Sequence, residues 1–184
     1  MRPAILLGMT VLREGLLEGR VVALGGAAEG GLAGSLGGLG ARVEAMPALD
    51  GADEERVGEW ARSRAPLHAL VYVEAGTDGF LEGAWTAVRE VAAGALIPSG
   101  EGGKIVLVAP AGEAVVAAAL ENLARTLSVE WARCGVTVVA VAPAGGVRPE
   151  DVTEVVGYLV SVAGDYFSGC RFDLGLTGVS GPGG

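Results

Sequence analysis

The sequence has one lysine, one histidine and two cysteines among 184 residues, and only 5% of it is aromatic. Each scarcity excludes something. Cys134 and Cys170 build no disulfide framework, so a reduced, cytoplasmic setting is the expectation. His68 stands without a Cys/His cluster, and no zinc site is expected. No apolar run approaches the roughly 18 residues that a membrane span needs. Acidic residues number 22 against 13 basic ones, for a net charge of −9, and no basic stripe is present. Such a surface repels phosphate backbones, which argues against nucleic acid and anionic membranes as partners. The opening PAILLGMTVL has Arg2 as its only early positive charge and no A-x-A-type cleavage site. Glu14 and Glu18 follow soon after, so export is not expected.

What is present is small and apolar. The chain is 51% hydrophobic with few rings, so its core must be built from Ala, Val and Leu. A mean hydropathy of +0.47 is high for a water-exposed chain and points to buried interface. Short apolar runs alternate with helical patterns. Arg20–Leu24, Ala41–Met46, Leu67–Val73, Lys104–Val108, Val136–Val141 and the end of Tyr166–Leu174 read as strands. Leu32–Leu39, Asp53–Arg64, Gly83–Leu96, Glu113–Arg133 and Pro149–Val162 read as helices. Near-continuous apolar strands separated by helices predict a doubly wound, Rossmann-like α/β domain, its parallel sheet covered on both faces. One such domain is expected over 20–176, after an N-terminal arm over 1–19 and before a flexible tail over 177–184.

Six segments, in order, resemble the short-chain dehydrogenase/reductases. LEGRVVALGGAAEGG is similar to that family's opening strand and glycine turn, and GARVEAM to its second strand. LVYVEAG resembles the strand ending in Asn-Asn-Ala-Gly, and GGKIVLVAPAG the strand that ends in the catalytic serine. AALENLARTLSVEWARCGVTVVAVAPAG resembles the long helix, the next strand and the Pro-Gly turn. VTEVVGYLVSVAGDYFSGCRFDLG resembles the C-terminal helix and strand. The resemblance implies hydride transfer between NAD(P) and a ketone or hydroxyl, with an acyl thioester as one option.

The same resemblance exposes what is missing. The family's Tyr and Lys, one helical turn apart, align with Glu113 and Ala117. Lys104 is the sole lysine, and Tyr72, Tyr158 and Tyr166 are not spaced to pair with it, so a Tyr-x-x-x-Lys dyad is impossible here. The serine strand ends in Ala109-Pro110, and no catalytic Asn has a counterpart in GAWTAVREVAAG. The implied catalytic set is therefore empty. In the glycine turn, Gly25 replaces Thr, Gly26 and Gly30 keep their places, and Leu32 stands at the third Gly. Pro47 falls where an acid would hold ribose, Asp50 being the other candidate, and Glu74 brings a carboxylate toward a pyrophosphate. Ala144–Arg148 runs straight into the next helix where the family has a lid. Gly25, Gly26 and Gly30 thus form a degenerate cofactor turn, and the expectation is that NAD(P) sits in a partner rather than in this chain.

The helix Glu113–Arg133 supplies the positive half of the reading. Val116, Leu120, Leu123, Leu127 and Trp131 should face the sheet, and Glu121 and Arg125 should pair on its flank. Yet 114–120 is apolar all round. In the resembled family this helix and its predecessor form a four-helix interface. Candidate interface residues are therefore Val115, Ala118, Ala119, Asn122 and Thr126, with Trp85 on the preceding helix and Phe172 near the C-terminus. His68 is expected as a hydrogen-bonded core histidine, and Cys134 as structural. Three functions remain open: a non-catalytic subunit of an active dehydrogenase/reductase heteromer, an atypical NAD(P) enzyme or nucleotide sensor, and a homo-oligomeric scaffold.

Overall fold

The computed structural model describes residues 12–28, 30–49, 54–76 and 79–175. Asp50, Asp53 and the expected tail lie outside them. Six strands form one parallel sheet: β1 (Val21–Gly26), β2 (Arg42–Ala45), β3 (Ala69–Val73), β4 (Gly103–Val108), β5 (Val136–Pro143) and β6 (Arg171–Leu174). Their order is β2-β1-β3-β4-β5-β6. In register, Leu24 pairs with Val71, Val71 with Val106, and Val106 with Val139. The central strands are rich in β-branched residues and buried on both sides, as a sheet covered on both faces requires. Chain direction across the sheet reverses between β1 and β3. Such switch points open a crevice at the C-terminal strand ends.

Five α-helices cover the sheet: α1 (Gly30–Gly38), α2 (Glu54–Ser63), α3 (Phe80–Val91), α4 (Ala114–Glu130) and α5 (Pro149–Val160). Helices α2, α3 and α4 share one core with the sheet. Helices α1 and α5 share the other. α4 buries Val116, Leu120 and Leu127, with Ala117 and Ala124 between them, so small side chains bring the helix close to the strands. Its Glu121 accepts from Arg125 at 2.6 Å and from Arg171 of β6 at 2.7 Å, which ties the helix flank to the edge strand.

Two departures from the sequence reading have clear causes. α3 begins at Phe80, three residues ahead of the expected Gly83, because Gly79 takes φ +63° and turns the chain into the helix. The helix then widens into a π turn over Ala92–Leu96. The end of the stretch set apart as an arm is seated in the core: Leu17 is fully buried, and its N–H donates to the Leu39 carbonyl at 2.8 Å.

Leu120→Ala is expected to cost about 2–5 kcal/mol in urea unfolding, as large-to-small changes in tight cores do. Val129→Ala, on the opposite side of the same helix and 79% exposed, is expected within about 0.5 kcal/mol of the parent.

Candidate functional site

The crevice at the switch point measures about 480 Å³. Ala27, Leu32, Glu74, Pro110, Val147 and Glu150 are among the residues lining it, and no lysine or arginine does. The glycine turn is used up by the chain's own packing. At Gly25 a Cβ would come within 2.6 Å of the Met46 methyl. Gly26 has φ +75°, and a Cβ there would sit 2.0 Å from the Val73 carbonyl oxygen. That oxygen accepts the Ala27 N–H at 2.8 Å. Gly30 opens α1. Leu32 is half-buried and occupies the approach to the helix start, and Pro47 is half-buried after β2. The free N–H groups at the start of α1 favour an anion, but among the described residues the charged side chains lining the crevice are the carboxylates of Glu74 and Glu150. The residues present fit a dinucleotide's pyrophosphate poorly.

Proton-handling groups are not assembled here. Glu113 is exposed at the start of α4 and makes no side-chain cap. Ala117 is buried against the sheet. The β4–α4 connection is drawn down onto β5: Ala109 N–H donates to the Val141 carbonyl and Gly112 N–H to the Pro143 carbonyl, both at 2.9 Å. Beyond β5, Ala144 N–H donates to the Leu174 carbonyl at 2.8 Å, and Val147 N–H closes a turn onto Ala144 before α5 begins. Both connections are short pinned turns, and the second is the direct run into the next helix that the sequence predicts. Among the described residues, Ser35 and Thr153 supply the hydroxyl side chains lining the crevice, and the Thr153 hydroxyl donates to the Pro149 carbonyl at 2.9 Å. Lys104 lies at the start of β4, away from the crevice at the strand's far end, and is ion-paired with Asp165. No group of His, Cys, Asp and Glu suited to a metal occurs among the described residues.

The candidate interface positions divide into two places. Val115, Ala118, Asn122 and Thr126 form an exposed row on the outer side of α4, with Ala119 half-buried beside it. Val115 is 76% exposed, and Val129 extends the row. Trp85 of α3 lies alongside, and with Leu81 it lines a shallow groove that Ala119, Asn122 and Thr126 complete. Phe172 is elsewhere. It lies on the α1/α5 side of the sheet, edge-on to Phe167 at 5.1 Å. His68 accepts the Val21 N–H on Nδ1 at 3.0 Å, as a hydrogen-bonded core histidine should. Cys134 and Cys170 are free and half-buried.

Glu74 was read from the sequence as a misplaced anion, but its burial was not legible there. Its carboxyl accepts the Ala75 N–H at 2.9 Å through Oε1, while Oε2 is buried without a partner. Desolvation pushes its pKa up, although hydrogen bonds from Ala75 and Gly76 oppose the shift. Burial and the neighbouring Glu74 charge push the Tyr72 phenol up to about 12, so it is no substitute for an activated tyrosine. A raised folded-state pKa favours the fold at low pH and loses that contribution as pH rises through it. Glu74→Gln keeps an acceptor for Ala75 and removes the ionisation. Its stability relative to the parent, measured by urea unfolding, is expected to improve as pH rises above the ordinary glutamate range.

No protein-family model matches the sequence, and no curated protein does. Solved structures do. An oxidoreductase of the short-chain dehydrogenase/reductase family from Brucella ovis, in complex with partially ordered NAD, superposes with a TM-score of 0.65 at 19% identity, covering 84% of this chain and 98% of the other. The landomycin C-6 ketoreductase LanV, with bound NADP and rabelomycin, gives 0.67 at 20% identity over 88% and 97%. A 3-alpha-hydroxysteroid dehydrogenase from Pseudomonas sp. B-0831, complexed with NADH, gives 0.66 at 20% identity over 84% and 94%. The chain therefore has the doubly wound fold of the short-chain dehydrogenase/reductases.

Proposed function

We propose that this chain is a degenerate, non-catalytic member of that family, which pairs through α3 and α4 with an active NAD(P)-dependent dehydrogenase/reductase and supports its assembly or active site. One observation carries the reading. The outer row of α4 (Val115, Ala118, Asn122, Thr126 and Val129) is left uncovered by the described residues, beside Leu81 and Trp85 of α3. Helices that bury their sheet side and leave an apolar outer side lose free energy in water, and a second helix pair would recover it. Small residues at Ala118 and Ala119 allow close helix approach.

The emptied crevice agrees with this division of labour. The positions of the proton donor and its lysine are Glu113 and Ala117, and neither can transfer a proton in the required way. The crevice presents carboxylates where a dinucleotide has phosphates. Cofactor and chemistry then reside in the partner, whose substrate is a ketone or a hydroxyl compound.

The test is expression of the chain alone and beside a full-length dehydrogenase/reductase encoded near it. The pair is expected to co-purify and to turn over NAD(P)H, while the chain alone does not. Ala118→Arg places a charge on the exposed row, so the chain should stay folded while association weakens by roughly tenfold or more, as a charge buried at an interface centre does. Micromolar NAD(P)H binding by the isolated chain, or a homodimer indifferent to the dehydrogenase, contradicts the proposal.

A further inference from the structure

The opposite end of the sheet holds a larger concavity, about 600 Å³, that the reading above does not use. It runs beneath the starts of β1, β3, β4 and β5. Its charged lining residues are Arg20, His68, Glu101, Lys104 and Asp165. Most other polar groups there are committed. The Ser99 hydroxyl donates to the Leu96 carbonyl at 2.7 Å and accepts from Glu101 N–H. The Ser128 hydroxyl donates to the Arg125 carbonyl at 2.8 Å. The Ser168 hydroxyl oxygen accepts the Val138 N–H. Lys104, itself buried, is paired with Asp165.

Of the basic side chains there, Arg20 and His68 donate to no partner among the described residues. Arg20 is half-buried and pairs with no carboxylate among the described residues. His68 Nδ1 accepts the Val21 N–H at 3.0 Å, so in the neutral ring the proton sits on Nε2. The two groups sense each other: burial first, and then the Arg20 charge, pull the His68 pKa down, while Glu101 opposes them. Two basic side chains that line one concavity, neither of them donating to a carboxylate there, suit a shared oxyanion. A planar guanidinium is well matched to carboxylate or phosphate oxygens.

We infer that the N-terminal edge of the sheet binds an oxyanion, a carboxylate or phosphate group, between the Arg20 guanidinium and the Nε2–H of His68. Lys104 adds positive charge from the floor, where its remaining N–H groups are not needed by Asp165. Glu101, exposed on the rim, is a carboxylate of the chain's own that lines the same concavity and acts on His68. The site is independent of the dehydrogenase partner, so it stands or falls separately from the subunit proposal.

His68 is the only histidine in the sequence, so its ring protons give a single titrating signal in the NMR spectrum of the whole chain. The titration is run at one ionic strength in sodium chloride, sodium acetate and sodium phosphate. A bound oxyanion stabilises the imidazolium, so acetate or phosphate should raise the midpoint by about half a unit or more, roughly a threefold gain in proton affinity. Acetate and phosphate together separate a carboxylate ligand from a phosphate one. Arg20→Gln should abolish the shift, and Glu101→Gln, at an exposed rim position, should enlarge it. The same midpoint in all three salts overturns the inference. So does a shift that persists in Arg20→Gln or is unchanged in Glu101→Gln.

Discussion

The contact between α4 and the sheet is what the rest depends on. A parallel sheet must be covered on both faces, and α4 covers much of one with Val116, Ala117, Leu120, Ala124 and Leu127. Two consequences follow. Ala117 is spent on packing, so the helix turn that would carry a lysine in the resembled family is part of the core. The opposite side of the helix, where Val115, Ala118 and Val129 stand beside Asn122 and Thr126, is left without cover by the described residues. Packing and loss of chemistry are thus two sides of one helix.

The pinned turns extend the same logic to the top of the sheet. Gly112 bonded to Pro143, and Ala144 bonded to Leu174, hold the β4–α4 and β5–α5 connections down on the strand ends. A long substrate loop cannot occupy those places. What remains, among the described residues, is a crevice lined by the carboxylates of Glu74 and Glu150, the first of them buried. On the proposed reading, this crevice belongs to a chain that supports another subunit.

Much of this was legible in the sequence, for reasons that can be named. VVAL, ALVYV, KIVLV and VTVVAV announced buried strands because each is apolar on successive residues. The stripe Val116, Leu120 and Leu127 announced the buried side of α4, and the Glu121–Arg125 pair followed from helical spacing. The absent dyad was a matter of counting one lysine and three tyrosines. Other features depend on contacts between distant segments. Leu17 joins the core through Leu39, which no local pattern signals. The π turn over Ala92–Leu96 packs Gly94 against Ala61 and Gly58 of α2, a fit between two helices. Phe172 lies apart from the α4 positions because strand alternation turns Arg171 toward Glu121 and Phe172 to the other side. Arg20 and His68 line one concavity because the starts of β1 and β3 lie side by side at one edge of the sheet.

The central claim is that this fold acts as one part of a mixed assembly, and native mass spectrometry of the untagged protein from its own cells tests it most directly. The account predicts a hetero-oligomer of this chain with a dehydrogenase/reductase that carries an intact Tyr-x-x-x-Lys dyad, with NAD(P) released only from that subunit. A lone chain or a homo-oligomer whose mass includes a bound dinucleotide would contradict it.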